Sequence, residues 1–229
     1  MMSFKEFISG ISFKSLQPHM PLTYTDEFSN TILPEEDEQM KKTLFEICSI
    51  PKMSTLALGT IINKGIAQME DHLAFVNVGV WNGFTFLCGL VNNRNKKCIG
   101  IDNFSEFGSP REDFLTRFSS YRSEFHHFYD MDYVDYFKTC HNSPIGFYLY
   151  DGAHDYDNQL KGLQLAEPFF AKNCIIMVDD TNFEHPRQAT LDFMSGSTNK
   201  YEIIMDAKTA CNGHPTFWNG VMILQKLNE

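Results

Sequence analysis

From Leu73 onward the chain alternates short apolar runs with amphipathic ones. LAFVNVG (73–79), KKCIGID (96–102), EFHHFYD (124–130), GFYLYD (146–151) and NCIIMVD (173–179) have the length and composition of strands. Helical patterns lie between them. FTFLCGLV (84–91) is apolar nearly all round, as expected of a helix pressed between neighbours, and PREDFLTRFSSYR (110–122) sets Phe114 and Phe118 four apart. DYDNQLKGLQLAEPFF (155–170) gathers Tyr156, Leu160, Leu163 and Phe170 on one face. Apolar strands alternating with helices predict a parallel sheet covered on both faces. YEIIMD (201–206) and GVMILQK (220–226) break the rhythm, because only 13 residues separate two strand-like runs. The expected architecture is α/β: a doubly wound, mostly parallel, seven-stranded sheet ending in an antiparallel strand pair.

The first 71 residues follow a different pattern and are expected to form an N-terminal arm and helices, a lid or cap on a main domain over 72–229. Residues 1–35 read as an irregular arm and 36–71 as one or two helices. The acidic run PEEDEQ (34–39) would open the first of these, where its charge suits a helix N-terminus.

Composition narrows the function classes. The chain has 229 residues, 43% hydrophobic and 21% charged, an ordinary globular balance. Its formal net charge of −10 works against phosphate-rich partners, so neither nucleic acid nor an anionic membrane surface is the expected partner. No stretch approaches the length of apolar residues needed to span a bilayer. Six cysteines at 48, 88, 98, 140, 174 and 211 form no CxxC pair; reduced thiols in a cytoplasmic protein are the expectation, and a zinc site is not.

In doubly wound sheets ligands bind beyond the carboxyl ends of the strands, so the residues following each strand carry the chemistry. The first strand runs into GVWNGFT, whose Gly79 and Gly83 permit a tight turn and close backbone approach, with Trp81 between them in reach of a ligand. The full GxGxxG spacing of dinucleotide sites is missing. Asp102 ends the second strand, where an acid can accept from both hydroxyls of a ribose or cap the following segment. Asp130 ends the third. Asp151 ends the fourth and opens DGAHDYD, and Asp179 and Asp180 end the fifth. Three carboxylates at neighbouring strand ends repel one another unless a cation compensates, and oxygen donors suit Mg²⁺, Mn²⁺ or Ca²⁺ better than zinc. His154 is placed to act as a general base or to satisfy backbone groups.

The order FVNVGVWNGFT, CIGID, FYLYDGAHDYDNQLKGLQLAEPFF, CIIMVDDTN resembles the class I S-adenosylmethionine-dependent methyltransferases, closest to the small O-methyltransferase branch that includes the macrocin and antibiotic-sugar enzymes. The resemblance covers residues 73–182 well and 200–226 more loosely. It implies a Rossmann-like methyltransferase fold and S-adenosylmethionine as cofactor. The Gly79–Gly83 loop would wrap the methionine end, Asp102 would hold the ribose, and Asp130 would approach the adenine amine. Asp151, Asp179 and Asp180 would ligate a divalent metal, with His154 or Asp151 as the base. Where the family pattern has an acid two residues before the first glycine, this chain has Asn77, which can accept a hydrogen bond but brings no charge to the cofactor's ammonium.

The expected activity is methyl transfer to a hydroxyl of a small molecule or sugar, with metal assistance. Candidate walls of the acceptor site are the N-terminal arm and DAKTACNGHPTFW (206–218). Its His214, Phe217 and Trp218 would stack on the acceptor, or Phe217 and Trp218 would instead pack into the core beside the last strand. Three rivals stand beside this reading: a nicotinamide-dependent oxidoreductase, an inactive nucleoside-binding module of the same fold, and a metal-dependent hydrolase. A homo-oligomer stays open.

Overall fold

The computed structural model describes residues 2–17 and 23–227. Seven strands form the central sheet: β1 (Ala74–Val78), β2 (Lys97–Asp102), β3 (His126–Asp130), β4 (Ile145–Tyr150), β5 (Phe170–Asp179), β6 (Tyr201–Ala207) and β7 (Val221–Lys226). Their order is β3-β2-β1-β4-β5-β7-β6. Strands β1 to β5 run parallel, and β7 inserts antiparallel between β5 and β6. The expected sheet, with its closing antiparallel pair, is the one observed.

The sheet separates two apolar layers because strand side chains alternate between faces. Phe75, Phe147, Met177 and Ile223 face one layer; Val76, Tyr148, Ile176 and Leu224 face the other. The first layer is covered by α1 (Phe4–Gly10), α4 (Leu56–Gln68), α5 (Phe84–Leu90) and α6 (Arg111–Tyr121). The second is covered by α7 (Tyr133–Thr139), α8 (Tyr156–Ala166) and α9 (Glu184–Gly196). Burying an aromatic such as Phe75 or Phe147, each fully enclosed, is worth roughly 3–5 kcal/mol against alanine.

The N-terminal segment is more regular than an arm. Ser3 and Glu6 form a reciprocal capping box that starts α1, and Thr23 caps α2 (Tyr24–Asn30). Between them Ser12–Phe13 pairs with Thr31–Ile32 in a small antiparallel ribbon. The acidic run makes a single 3₁₀ turn over Glu35–Asp37 before the short α3 (Gln39–Thr43). Phe7, Ile8, Leu33 and Leu44 belong to the same apolar cluster as Phe75 and Phe86, so this segment roofs the sheet directly. Among the described residues no helix is long and apolar enough to cross a membrane.

The chain steps outward from β1 to β2 and β3, then returns across β1 to β4. This reversal parts the loops that leave β1 and β4, and a crevice opens at their carboxyl ends.

Candidate functional site

A cavity of about 320 Å³ occupies that crevice. Its floor is the turn after β1. Gly79 has φ +80°, and a Cβ there would lie 1.9 Å from the carbonyl oxygen of Asp151, so only glycine lets the two loops pass this closely. The turn is tied on both sides: Gly79 N–H donates to the Ile101 carbonyl at 2.9 Å, and Asp151 N–H donates to the Val78 carbonyl at 2.9 Å. The N–H groups of Val80 and Trp81 both donate to Oδ2 of Asp102 at 2.8 Å. Oδ1 of Asp102 accepts from Phe104 N–H at 2.7 Å. Asp102 therefore holds the loops after β1 and β2 together, and it also lines the cavity. Trp81, at φ +43°, donates from its indole nitrogen to the Phe107 carbonyl at 2.9 Å, which fixes one wall.

Acids and a histidine gather after β4 and β5. Nε2 of His154 lies 3.2 Å from Asp180 Oδ2 and 3.9 Å from Asp151 Oδ1. Its Nδ1 is buried without a partner, as is Oδ1 of Asp179. Burial, followed by repulsion from Asp179, Asp180 and Asp102, pushes the Asp151 carboxyl well above the usual carboxylate range. Burial and Asp180 push Asp179 up likewise. Asp180 is raised by burial and drawn partly back by His154 and a hydrogen bond from Asn219. The Asn219 amide is itself oriented, because its Oδ1 accepts from Gly213 N–H at 2.8 Å.

Six of the ten residues expected to serve cofactor, metal or catalysis meet in this cavity: Gly79, Trp81, Asp102, Asp151, His154 and Asp180. Four do not line it. Asn77 is fully buried; its amide donates to the Gly79 carbonyl at 2.8 Å and its oxygen accepts from Thr85 at 3.2 Å, so it braces the turn from behind. Gly83, at φ +99°, caps α5 against Phe114. Asp130 is turned to solvent and paired with Arg111 Nε at 2.5 Å, leaving Met131, Asp132 and Tyr133 as the lining from this strand end. Asp179 is buried beneath the surface, 3% exposed. Among the described residues no group of three or more His, Cys, Asp and Glu side chains is gathered to hold a metal ion.

The 206–218 loop meets the cavity only in part. Trp218 lines the cavity. Phe217 packs edge-on against Phe13 at 5.2 Å, and His214 is buried against the Thr216 hydroxyl at 2.7 Å. Sequence reasoning missed Lys52, Ser54, Tyr133, Asn158 and Asn219, all of which line the cavity. Asn158 followed the proposed helix start and Asn219 sat one residue beyond the suspected loop. Lys52 and Ser54 lie in an irregular stretch that carries no periodic signal.

Comparison with known proteins places the fold. The profile of a family described as a methyltransferase domain matches residues 76–181. The fold is that of a class I methyltransferase. Cofactor-bound Rv0187 from MTB superposes with a TM-score of 0.61 at 11% identity, over 83% of this chain and 89% of that one. An O-methyltransferase from Bacillus cereus in complex with SAH gives 0.57 at 12% identity, over 85% and 92%. An rRNA methylase from Streptococcus thermophilus gives 0.52 at 14%, over 73% and 94%. No curated protein sequence matches the chain. The matched stretch runs from within β1 to just past the end of β5, and it includes the Gly79 turn and the five carboxylates that line the cavity.

Proposed function

We propose that this chain is an S-adenosylmethionine-dependent O-methyltransferase acting on a hydroxyl of a small molecule or sugar. The observation that carries the reading is the joining, in one cavity at the topological switch point, of a tightly apposed glycine turn, the Asp102-braced loops and the His154–Asp180 pair. The cofactor-bound and SAH-bound neighbours support the choice of cofactor.

The cofactor supplies a methyl group on a cationic sulfur, open to in-line attack by an oxygen. The protein must bind it, hold the hydroxyl in line and remove the hydroxyl proton. Gly79 and the loop N–H groups admit and orient the amino-acid end, while Asp102 keeps the turn in shape and offers its carboxylate to the ribose. His154 Nε2 lies 3.2 Å from Asp180 Oδ2, and a proton held on that nitrogen would leave Nδ1 as the acceptor. That atom is buried and unpaired, so it needs a donor, and an acceptor hydroxyl entering beside it is one. Placement of the reactants is worth up to about 7–11 kcal/mol and proton removal a further 10²–10⁴-fold or so. The net charge of −10 favours a small acceptor over a nucleic acid.

A divalent cation at Asp151, Asp179 and Asp180 is the second part of the reading. The donors are all oxygen, as Mg²⁺ or Mn²⁺ requires, and their mutual repulsion together with the unpartnered Asp179 Oδ1 favours a counter-charge. As the side chains stand they do not converge on one point, so no step above depends on the ion.

The test is methyl transfer from labelled S-adenosylmethionine to a panel of sugars, polyols and catechols, with and without chelator and added Mg²⁺. Transfer to an oxygen that His154→Gln lowers by about 10²-fold or more supports the assignment. Transfer only to nitrogen or carbon, or rates indifferent to His154, contradicts it.

A further inference from the structure

The cavity is lined by five carboxylates, Asp102, Glu106, Asp132, Asp151 and Asp180. Among the described lining residues Lys52 is the only lysine or arginine. It comes from the stretch before α4, outside the methyltransferase domain proper, and its side chain is 10% exposed. Its ammonium lies 3.2 Å from Oε1 of Glu27, donates to the Cys48 carbonyl at 2.9 Å and sits 5.4 Å from the centre of the Phe84 ring. Phe84 is the first residue of α5, immediately after the Gly79–Gly83 turn. An ammonium has three donors, and two are used, so one N–H remains for a ligand. Two residues on, Ser54 is 3% exposed and lines the same cavity; its hydroxyl is buried without a hydrogen-bond partner. A buried unpaired hydroxyl is costly and implies a partner that arrives with the ligand.

We propose that Lys52 and Ser54 form a carboxylate subsite, recognising the α-carboxylate of an amino-acid-bearing nucleoside at the Gly79 end of the cavity. The proposal rests on the cofactor assignment above and deepens it. The N-terminal segment is then part of the cofactor site, and Glu27 on α2 is its positioning residue. Glu27 is 2% exposed, accepts from Leu56 N–H at 2.9 Å, and lies 3.2 Å from the Lys52 ammonium, which it anchors. Burial raises the Glu27 carboxyl, and Lys52 pulls it back. The arrangement answers a question left by Asn77: with the strand position neutral and turned away, discrimination of the amino-acid moiety passes to a cation carried by the roof.

Calorimetric titration with two probes tests this. S-adenosylhomocysteine carries the carboxylate; 5′-methylthioadenosine has the same nucleoside and thioether but lacks it. The Lys52→Met and Ser54→Ala variants are compared with wild type, together with Glu27→Gln/Lys52→Met, which removes both charges and avoids stranding a buried acid. The expected result is a loss of about 10- to 100-fold in S-adenosylhomocysteine affinity for both Lys52 variants, a smaller loss for Ser54→Ala, and 5′-methylthioadenosine affinity unchanged within about twofold. Equal losses for both probes, or none for either, overturn the subsite while leaving the cofactor assignment standing. Failure of wild type to bind either probe overturns both.

Discussion

A side chain on Gly79 would begin 1.9 Å from the carbonyl oxygen of Asp151, with the residue itself at φ +80°. Two strand ends that both line the cavity are in backbone contact, and the floor has no slack. Gly79→Ala is therefore expected to destabilise the protein by about 1–3 kcal/mol and to weaken nucleoside binding more than the stability change alone explains. Thermal unfolding beside calorimetry separates the two effects.

Asp179 is an acid whose buried position costs stability. Its carboxyl is raised by burial and by Asp180, so at neutral pH the folded protein resists its charge more than the unfolded chain does. A folded-state value above the unfolded one means the contribution is unfavourable at high pH and relaxes as pH falls and the native carboxyl takes its proton. Asp179→Asn is expected to raise the unfolding temperature of the ion-free protein at neutral pH. Its advantage over wild type should shrink toward pH 5. Unfolding scans across that range check the sign.

His154→Gln is expected to preserve S-adenosylhomocysteine binding within about threefold while lowering methyl transfer by about 10²–10⁴-fold. Asp180→Asn should give part of the same loss, because it removes the charge beside Nε2 at 3.2 Å. Single-turnover rates and binding measured on the same preparations separate chemistry from affinity.

Asp130 is held by Arg111 at 2.5 Å and faces solvent. Asp130→Asn should leave nucleoside affinity within about threefold of wild type, since an exposed pair is worth about 0–1 kcal/mol. Tyr133→Ala, which opens the cavity wall, should cost more. Calorimetry on both variants decides between the strand-end acid and its neighbours.

The sheet was legible because its strands are short, apolar and separated by helical periods; LAFVNVG and GFYLYD could hardly be anything else. Two helices were not read. α9 buries Pro186, Ala189, Thr190 and Phe193, a regular stripe that was present in the sequence but masked by its polar surroundings and the early proline. α7 starts at Asp132, whose side chain accepts from Val134 N–H at 2.8 Å, a cap hidden beside the more conspicuous Asp130. The acids at the strand ends were visible because topology puts carboxyl termini in a row. Which of them face the cavity was not, since that depends on one rotation: Asp180 adopts φ +59° and turns outward, while Asp179 stays in the strand and points inward. Lys52 and Ser54 were invisible for a related reason, because packing of an irregular segment against the sheet carries no periodic mark.

The central claim is that this cavity binds an S-adenosyl nucleoside through the Asp102-braced loops. Calorimetric titration of S-adenosylhomocysteine into wild type and Asp102→Ala tests it most directly. The account predicts micromolar binding to wild type and its loss in the variant, whose Val80, Trp81 and Phe104 N–H groups lose their common acceptor. Absence of binding to wild type, or undiminished binding to a folded Asp102→Ala protein, would contradict it.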